Sequence, residues 1–191
     1  MKLHVARVLN GEYRLDGVHF TKPHILDLGA NYGAFAVWAR DRWPDATIEC
    51  YEPNPETFRV LQQNCPFAKL HQLAVTDHGG IGYLRKGAGN CGECSLYDLG
   101  EQTDENVIVR VISSAALPPA DIMKIDTEGA EYLTLYLYPH LKKLRAVMLE
   151  WHSIIDRYAI GNLLCGVGMK FYSDDSWRGN RGIMKFYRDG L

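Results

Sequence analysis

The sequence predicts an α/β protein, with a mostly parallel central sheet, helices on both faces and an antiparallel strand closing the C-terminal edge. Three observations carry this. Short apolar runs ending in Gly, Pro or Asp alternate with longer segments whose apolar residues recur at helical spacing, the mark of a parallel sheet. The first such unit, Ile25-Leu26-Asp27-Leu28-Gly29-Ala30-Asn31-Tyr32-Gly33, passes from a buried strand through a glycine loop into an apolar helix. The last two strand-like runs, 169–172 and 183–187, are joined by a short polar connection, which suits an antiparallel pair.

In order along the chain, residues 4–20 read as an entry hairpin turning at Asn10-Gly11, within an N-terminal segment 1–23. Residues 24–28 form the first core strand. Ala34, Phe35, Val37, Trp38 and Ala39 then mark a helix that Trp43-Pro44-Asp45 stops. A second strand over 46–51 ends at Glu52-Pro53-Asn54-Pro55, and a helix over 57–64 presents Phe58, Val60 and Leu61 to the core. A third strand is expected over 70–75. Residues 79–106 are rich in glycine and polar residues and read as a surface insertion, hairpin-like, with 81–84 as one strand. A strand at 107–112 leads to the Pro118-Pro119 stop, and the rhythm resumes with a buried strand at 121–125. A helix from 130 to about 138, a fifth core strand at 145–149, a helix over 154–164 and the closing strand pair complete one domain of 191 residues. It divides into 24–78 on one side of the insertion and 107–191 on the other.

Composition narrows the function. A hydrophobic fraction of 47% and a charged fraction of 23% are those of a globular chain. A net charge of −2 gives no strong attraction to nucleic acid or to an anionic membrane. The five cysteines are an odd count, and the N-terminus lacks an apolar secretory core, so reduced thiols and a cytoplasmic location are expected. No apolar run has the length that a membrane-spanning helix needs.

The glycine loop is a place where backbone and helix N-terminus can meet a ligand closely. Its spacing, Gly29-x-Asn31-x-Gly33, differs from the dinucleotide pattern, and no Lys-Ser/Thr follows it as in a P-loop. Asp27 ahead of the loop repels a pyrophosphate but can accept from an ammonium group. Glu52, at the end of the second strand, can take both hydroxyls of a ribose; the competing explanation is a carboxylate favoured by the next helix dipole. A nucleoside bearing an amino acid fits this set better than a diphosphate.

These residues together resemble class I S-adenosylmethionine-dependent methyltransferases, a Rossmann-like fold. Asp27-Leu28-Gly29-Ala30-Asn31-Tyr32-Gly33 is similar to the Asp-Val-Gly-Ala-Asn-x-Gly loop of the FkbM-type branch, where Asn stands at the middle glycine. Lys124-Ile125-Asp126-Thr127-Glu128-Gly129-Ala130-Glu131 resembles that branch's Lys-Ile-Asp-Val-Glu-Gly-Ala-Glu signature. Glu52-Pro53-Asn54-Pro55 and Leu73-Ala74-Val75-Thr76-Asp77 match two weaker segments. The resemblance implies S-adenosylmethionine as cofactor, with S-adenosylhomocysteine as product. It implies Asp27, Gly29, Asn31, Gly33, Glu52, Pro53, Ala74 and Asp126 as its binding residues, and methyl transfer by in-line displacement.

Asp126 ends a central strand, where ligands of open parallel sheets bind, and can touch the cofactor amino group or handle an acceptor proton. Glu128 is either a second acid at that place or a first-turn carboxylate of the next helix. His152, two residues after Glu150, is a candidate general base and equally a structural histidine. Asp126, Glu128 and His152 are therefore the candidate catalytic set. A divalent metal held by Asp126, Glu150 and His152 is an alternative that the sequence does not favour, since nothing in it fixes three ligands. Cys91-Gly92-Glu93-Cys94 lacks a second ligand pair for zinc and reads as part of the acceptor entrance. The resemblance implies O-methylation of a small-molecule or glycan hydroxyl; the compact insertion leaves room for a homo-oligomer to complete the pocket, and no membrane is expected. RNA ribose methylation, and cofactor binding without turnover, are the alternatives.

Overall fold

Neighbouring residues along the central strands fall into separate apolar clusters, and that split builds the layers. Ile25, Ile48, Ile122 and Met148 pack with Phe35, Ala39, Phe58 and Leu61. Leu26, Leu28, Met123, Ile125, Val147 and Leu149 pack instead with Leu135, Ile160 and Leu164. Side chains alternate across a strand, so each cluster marks one face of the sheet, and both faces carry helices.

A computed structural model of the chain describes residues 2–85, 96–97, 106–177 and 181–189. In chain order the elements are α1 (Lys2–Leu9), β1 (His24–Leu28), α2 (Ala34–Arg42), β2 (Thr47–Tyr51), α3 (Pro55–Asn64), β3 (Lys69–His71), β4 (Ala74–Thr76) and β5 (Gly80–Arg85). They continue with β6 (Leu96–Tyr97), β7 (Asn106–Ser113), β8 (Ile122–Ile125), α4 (Glu131–Leu137), β9 (Ala146–Trp151), α5 (Ile154–Gly166), β10 (Lys170–Trp177) and β11 (Arg181–Tyr187). A seven-stranded sheet runs β10-β11-β9-β8-β1-β2-β3, parallel from β9 to β3, with β11 antiparallel to both neighbours. The fold is the predicted one. The chain's direction of travel across the sheet reverses between β1 and β8, the point where such sheets bind ligands beyond their carboxyl ends.

Two local expectations change. The N-terminal segment begins as the helix α1, not a hairpin. Gly11 has φ 90°, its N–H donates to the Val8 carbonyl at 3.0 Å, and the Glu12 N–H donates to the Arg7 carbonyl at 3.1 Å. That pair of bonds is the Schellman stop of a helix. An Asn-Gly pair suits either motif, and packing decides between them. Val8 and Tyr13 join the cluster of Phe35, with the Tyr13 and Phe35 rings edge to face at 5.4 Å.

The expected third strand over 70–75 is two strands in different sheets. β3 pairs with β2, whereas β4 pairs with β7 in a four-stranded sheet of order β4-β7-β5-β6. Ala74 packs with Leu84, Val109 and Val111 of that second sheet, which draws the chain out of the first. Among the described residues no helix is long and apolar enough to cross a membrane.

Candidate cofactor and acceptor site

The loop after β1 lies directly on the end of β8. Gly29 has φ 74°, and a Cβ there would sit 1.8 Å from the Asp126 carbonyl oxygen, so only glycine fits. The Gly29 and Ala30 N–H groups both donate to the Tyr51 carbonyl at 3.0 Å, tying the loop to β2 as well. Asn31 has φ 51°. Among residues with a side chain, Asn enters this left-handed region most readily, which explains how it replaces a glycine. Gly33 has a different task. Its Cβ would meet the Cys65 Sγ at 2.4 Å and Leu61 Cδ1 at 2.9 Å, so it permits close packing of the start of α2 on α3.

A pocket opens where loop, β2, β4 and β8 converge. Gly29, Asn31, Glu52, Pro53, Ala74 and Asp126, all expected to hold the cofactor, line it together, joined by Tyr51, Asn54, Leu73, Val75, Leu84, Thr127 and Glu128. Asp27 and Gly33 are not on its wall. Glu52 is aimed by the backbone: its Oε2 accepts from Asn31 N and its Oε1 from Asn54 N, each at 2.9 Å. Only 7% exposed, it is pushed up to about 7 by burial, against the pull of those two bonds. The helix-dipole explanation of Glu52 loses ground, because Asn54 itself caps α3, its Oδ1 accepting from Glu56 N at 2.9 Å.

Asp27 faces a cation, but it is the chain's own. Lys124 stands opposite it in register on β8 and brings Nζ to 3.3 Å from Asp27 Oδ1. The same ammonium donates to the Gly29 carbonyl at 2.6 Å and lies 3.9 Å from Asp126 Oδ2. Burial pushes Asp27 up, with Lys124 opposing; burial lowers Lys124, but Asp27 and Asp126 outweigh it and leave it raised, hence charged. The expectation that Asp27 meets the cofactor ammonium directly is therefore corrected: it sits fully buried beneath the loop and braces it through Lys124. Sequence reasoning gave Lys124 no role. Its signal was a lone cation within the otherwise apolar run Ile122-Met123-Lys124-Ile125, which must find partners inside.

Beyond Asp126 lies an acidic nest around His152. Glu128, at φ 54°, is the second non-glycine residue in the left-handed region; both this one and Asn31 are on the pocket wall. The first-turn role weighed for Glu128 belongs to Glu131 at the start of α4. Its Oε1 accepts from Thr127 N and Gly129 N at 3.0 Å and lies 3.2 Å from His152 Nδ1. Burial pushes Glu131 up, but His152 and the Gly129 N–H overcome it, and the acid is lowered.

On the other side of the ring, Nε2 lies 3.2 Å from Glu128 Oε2 and 3.6 Å from Glu150 Oε1. Burial lowers the imidazole, yet Glu128 and Glu131 outweigh it and raise it to about 10. An imidazolium at neutral pH has no lone pair to offer, so the general-base expectation for His152 is corrected. Burial and the neighbouring Asp126 raise Glu150 to about 8, and burial likewise raises Asp126 against Lys124. Asp126, Glu150 and His152, which the sequence left without fixed geometry, bring one ligand atom each to within 4.8 Å of one another. Cys91 and Cys94 lie outside the described residues; Cys50, Cys65 and Cys165 are free thiols.

No protein-family model matches the chain. In sequence it is 33% identical over 61 residues to the 31-O-demethyl-FK506 methyltransferase FkbM of Streptomyces tacrolimicus, a match covering 30% of this chain and 24% of that one. The curated relatives it matches are spanned over 17% to 24% of their own length. In structure it is similar to the methyltransferase FkbM of Methylobacillus flagellatus, with a TM-score of 0.68 at 13% identity over 94% of this chain and 48% of that one. A fibrillarin of Aeropyrum pernix, solved with natively bound S-adenosyl-L-methionine, gives a TM-score of 0.53 at 12% identity, over 97% and 74% of the two chains. The fold is that of class I methyltransferases, and the sequence likeness is to the FkbM type.

Proposed function

We propose that this chain, alike in motif to FkbM-type enzymes and built on the class I methyltransferase fold, binds S-adenosylmethionine and transfers its methyl group to a hydroxyl of a sugar or small metabolite. The observation that carries this is Glu52. Two backbone N–H groups fix both its oxygens on the pocket wall, one of them from the glycine loop itself, which leaves the outer lone pairs for the two hydroxyls of a ribose. Leu73, Ala74, Val75 and Leu84 supply the apolar wall for an adenine beside it. Gly29 and Asn31 bring backbone to the neighbouring stretch, where the amino-acid portion belongs.

The cofactor's sulfonium supplies an electrophilic methyl carbon, so the protein's work is to position the acceptor and to manage its proton. Asp126 and Glu128 are the carboxylates on the pocket wall placed for this. Burial makes Asp126 a stronger base than a free carboxylate, and Lys124 restrains that rise. His152, held as a cation, orients Glu128 and Glu150 instead of taking the proton.

Labelled-methyl transfer from S-adenosylmethionine into fractionated sugars, small metabolites and RNA tests this. Label in a hydroxyl-bearing sugar or metabolite fraction is expected. Binding of S-adenosylhomocysteine with label in no fraction would favour a non-catalytic role, and label in RNA ribose would replace the acceptor class.

A further inference from the structure

We infer that the Tyr13 hydroxyl and the N-terminus of α2 form a carboxylate site behind the glycine loop, which takes the α-carboxylate of the cofactor's amino-acid portion. The identity of that ligand rests on the methyltransferase reading above. Behind the loop lies a second cavity, whose wall includes Tyr13, Asn31, Ala34, Phe35 and Lys124. Asn31 is on the wall of this cavity and of the cofactor pocket, so the two are neighbours across one residue. The segment before β1 thus becomes part of the binding machinery.

Tyr13 gives the observation that is independent of the helix. Its side chain is fully buried, and its hydroxyl has no hydrogen-bond partner among the described residues. A buried phenol in that state forfeits the bonds it makes to water in the unfolded chain, and a ligand on the cavity side restores one. The ring is fixed edge to face on Phe35 at 5.4 Å, so the hydroxyl is held in place in advance. Burial raises the phenol well above its ordinary range, and the negative charges of Asp126, Glu150, Glu12 and Asp27 add to that. The group therefore keeps its proton and is a donor.

The rest of the wall suits an anion. α2 begins at Ala34 after Gly33, and no side chain caps it, so its first N–H groups have no intrahelical acceptor. Ala34 and Phe35, in that first turn, are on the cavity wall. Among the described residues there, Lys124 is the one charged side chain and none is acidic. Its ammonium, held by Asp27 and the Gly29 carbonyl, offsets the field of the acids that bear on Tyr13. Asp126 stands on the other side, on the wall of the cofactor pocket and 3.9 Å from Lys124 Nζ. An amino-acid zwitterion matches this division, with its ammonium toward Asp126 and its carboxylate toward Tyr13 and α2.

The test compares, by calorimetry on the full chain, S-adenosylhomocysteine with its decarboxylated analogue, which keeps the amine and lacks only the carboxylate. The parent should prefer the first by about tenfold or more, the worth of a hydrogen bond to a charged group. Tyr13→Phe, which keeps the ring on Phe35, should lose about tenfold in affinity for S-adenosylhomocysteine and none for the analogue. Its melting temperature should be equal or higher, because an unpartnered buried hydroxyl has gone. The control Tyr138→Phe removes a hydroxyl that donates to the Pro118 carbonyl at 2.8 Å, and it should keep the parent's preference. The site is overturned by a parent without preference, which needs no variant to read, by a preference that Tyr13→Phe leaves intact, or by equal weakening of both ligands. 5′-Methylthioadenosine, which lacks the whole amino acid, reads the nucleoside side separately. If it binds and the parent shows no preference, this site fails alone; if none of the three ligands binds, the cofactor reading fails and the site with it.

Discussion

Glu52 sets two pH dependences of opposite sign. Burial raises its carboxyl from an ordinary 4.5 to about 7. The folded chain thus holds this proton more tightly than the unfolded one. Its contribution to stability is full below pH 4.5 and is lost as pH rises to about 7, a total of about 3 kcal/mol. Ribose hydroxyls, in contrast, donate to the ionised form. Going from pH 8 to pH 6 cuts the ionised fraction from roughly 0.9 to 0.1, so a ligand that needs the carboxylate should bind about tenfold more weakly. The probe is 5′-methylthioadenosine, which keeps the ribose and lacks the amino acid, titrated by calorimetry at several pH values. Glu52→Gln supplies the control. Its amide nitrogen must face one of the two backbone N–H groups, leaving a donor unpaired at about 1–3 kcal/mol, and its affinity should be low and flat with pH. A flat profile in the parent chain, or the same slope in the variant, would refute the ribose assignment.

Other expectations concern the brace and the acid. Lys124→Met leaves the Asp27 carboxylate buried without its cation and should cost about 3–5 kcal/mol in chemical denaturation, most of which Lys124→Met with Asp27→Asn recovers. Gly29→Ala drives a Cβ into the Asp126 carbonyl and should lose about 2–4 kcal/mol together with S-adenosylhomocysteine binding. Asp126→Asn keeps the side-chain shape and should lower methyl transfer at least a hundredfold, while the melting temperature moves by only a few degrees. Full activity in that variant would remove Asp126 from the chemistry.

The sheet and most of the pocket were legible because local chemistry dictates them. Glycine at 29, a carboxylate at 52 and Asp126 at a strand end are local signals, and one pocket wall brings the three together. Asn31 looked like a departure from a glycine pattern, and its φ of 51° shows the same backbone demand met by another residue. The features that differ from expectation depend on neighbours distant in sequence. Asn10-Gly11 serves a helix stop as well as a hairpin, and only the contact of Val8 and Tyr13 with the cluster of Phe35 separates the two. Asp27 reads as a ligand-facing acid until Lys124, nearly a hundred residues on, arrives opposite it in the sheet. His152 has no proton affinity that its own segment can foretell; Glu128, on the loop after β8, and Glu131, in the first turn of α4, set it.

The division of the third strand between two sheets makes the pocket a seam. Glu52 and Gly29 stand on one side of it and Ala74 and Leu84 on the other, so a bound nucleoside is a rivet between two hydrogen-bonded layers. Mass action stabilises whatever conformation holds both sides at once. Saturating ligand should therefore slow amide exchange along Ala74–Thr76 more than in the middle of β9, whose protection the larger sheet already provides. The smaller sheet would then acquire its rigidity from the occupant.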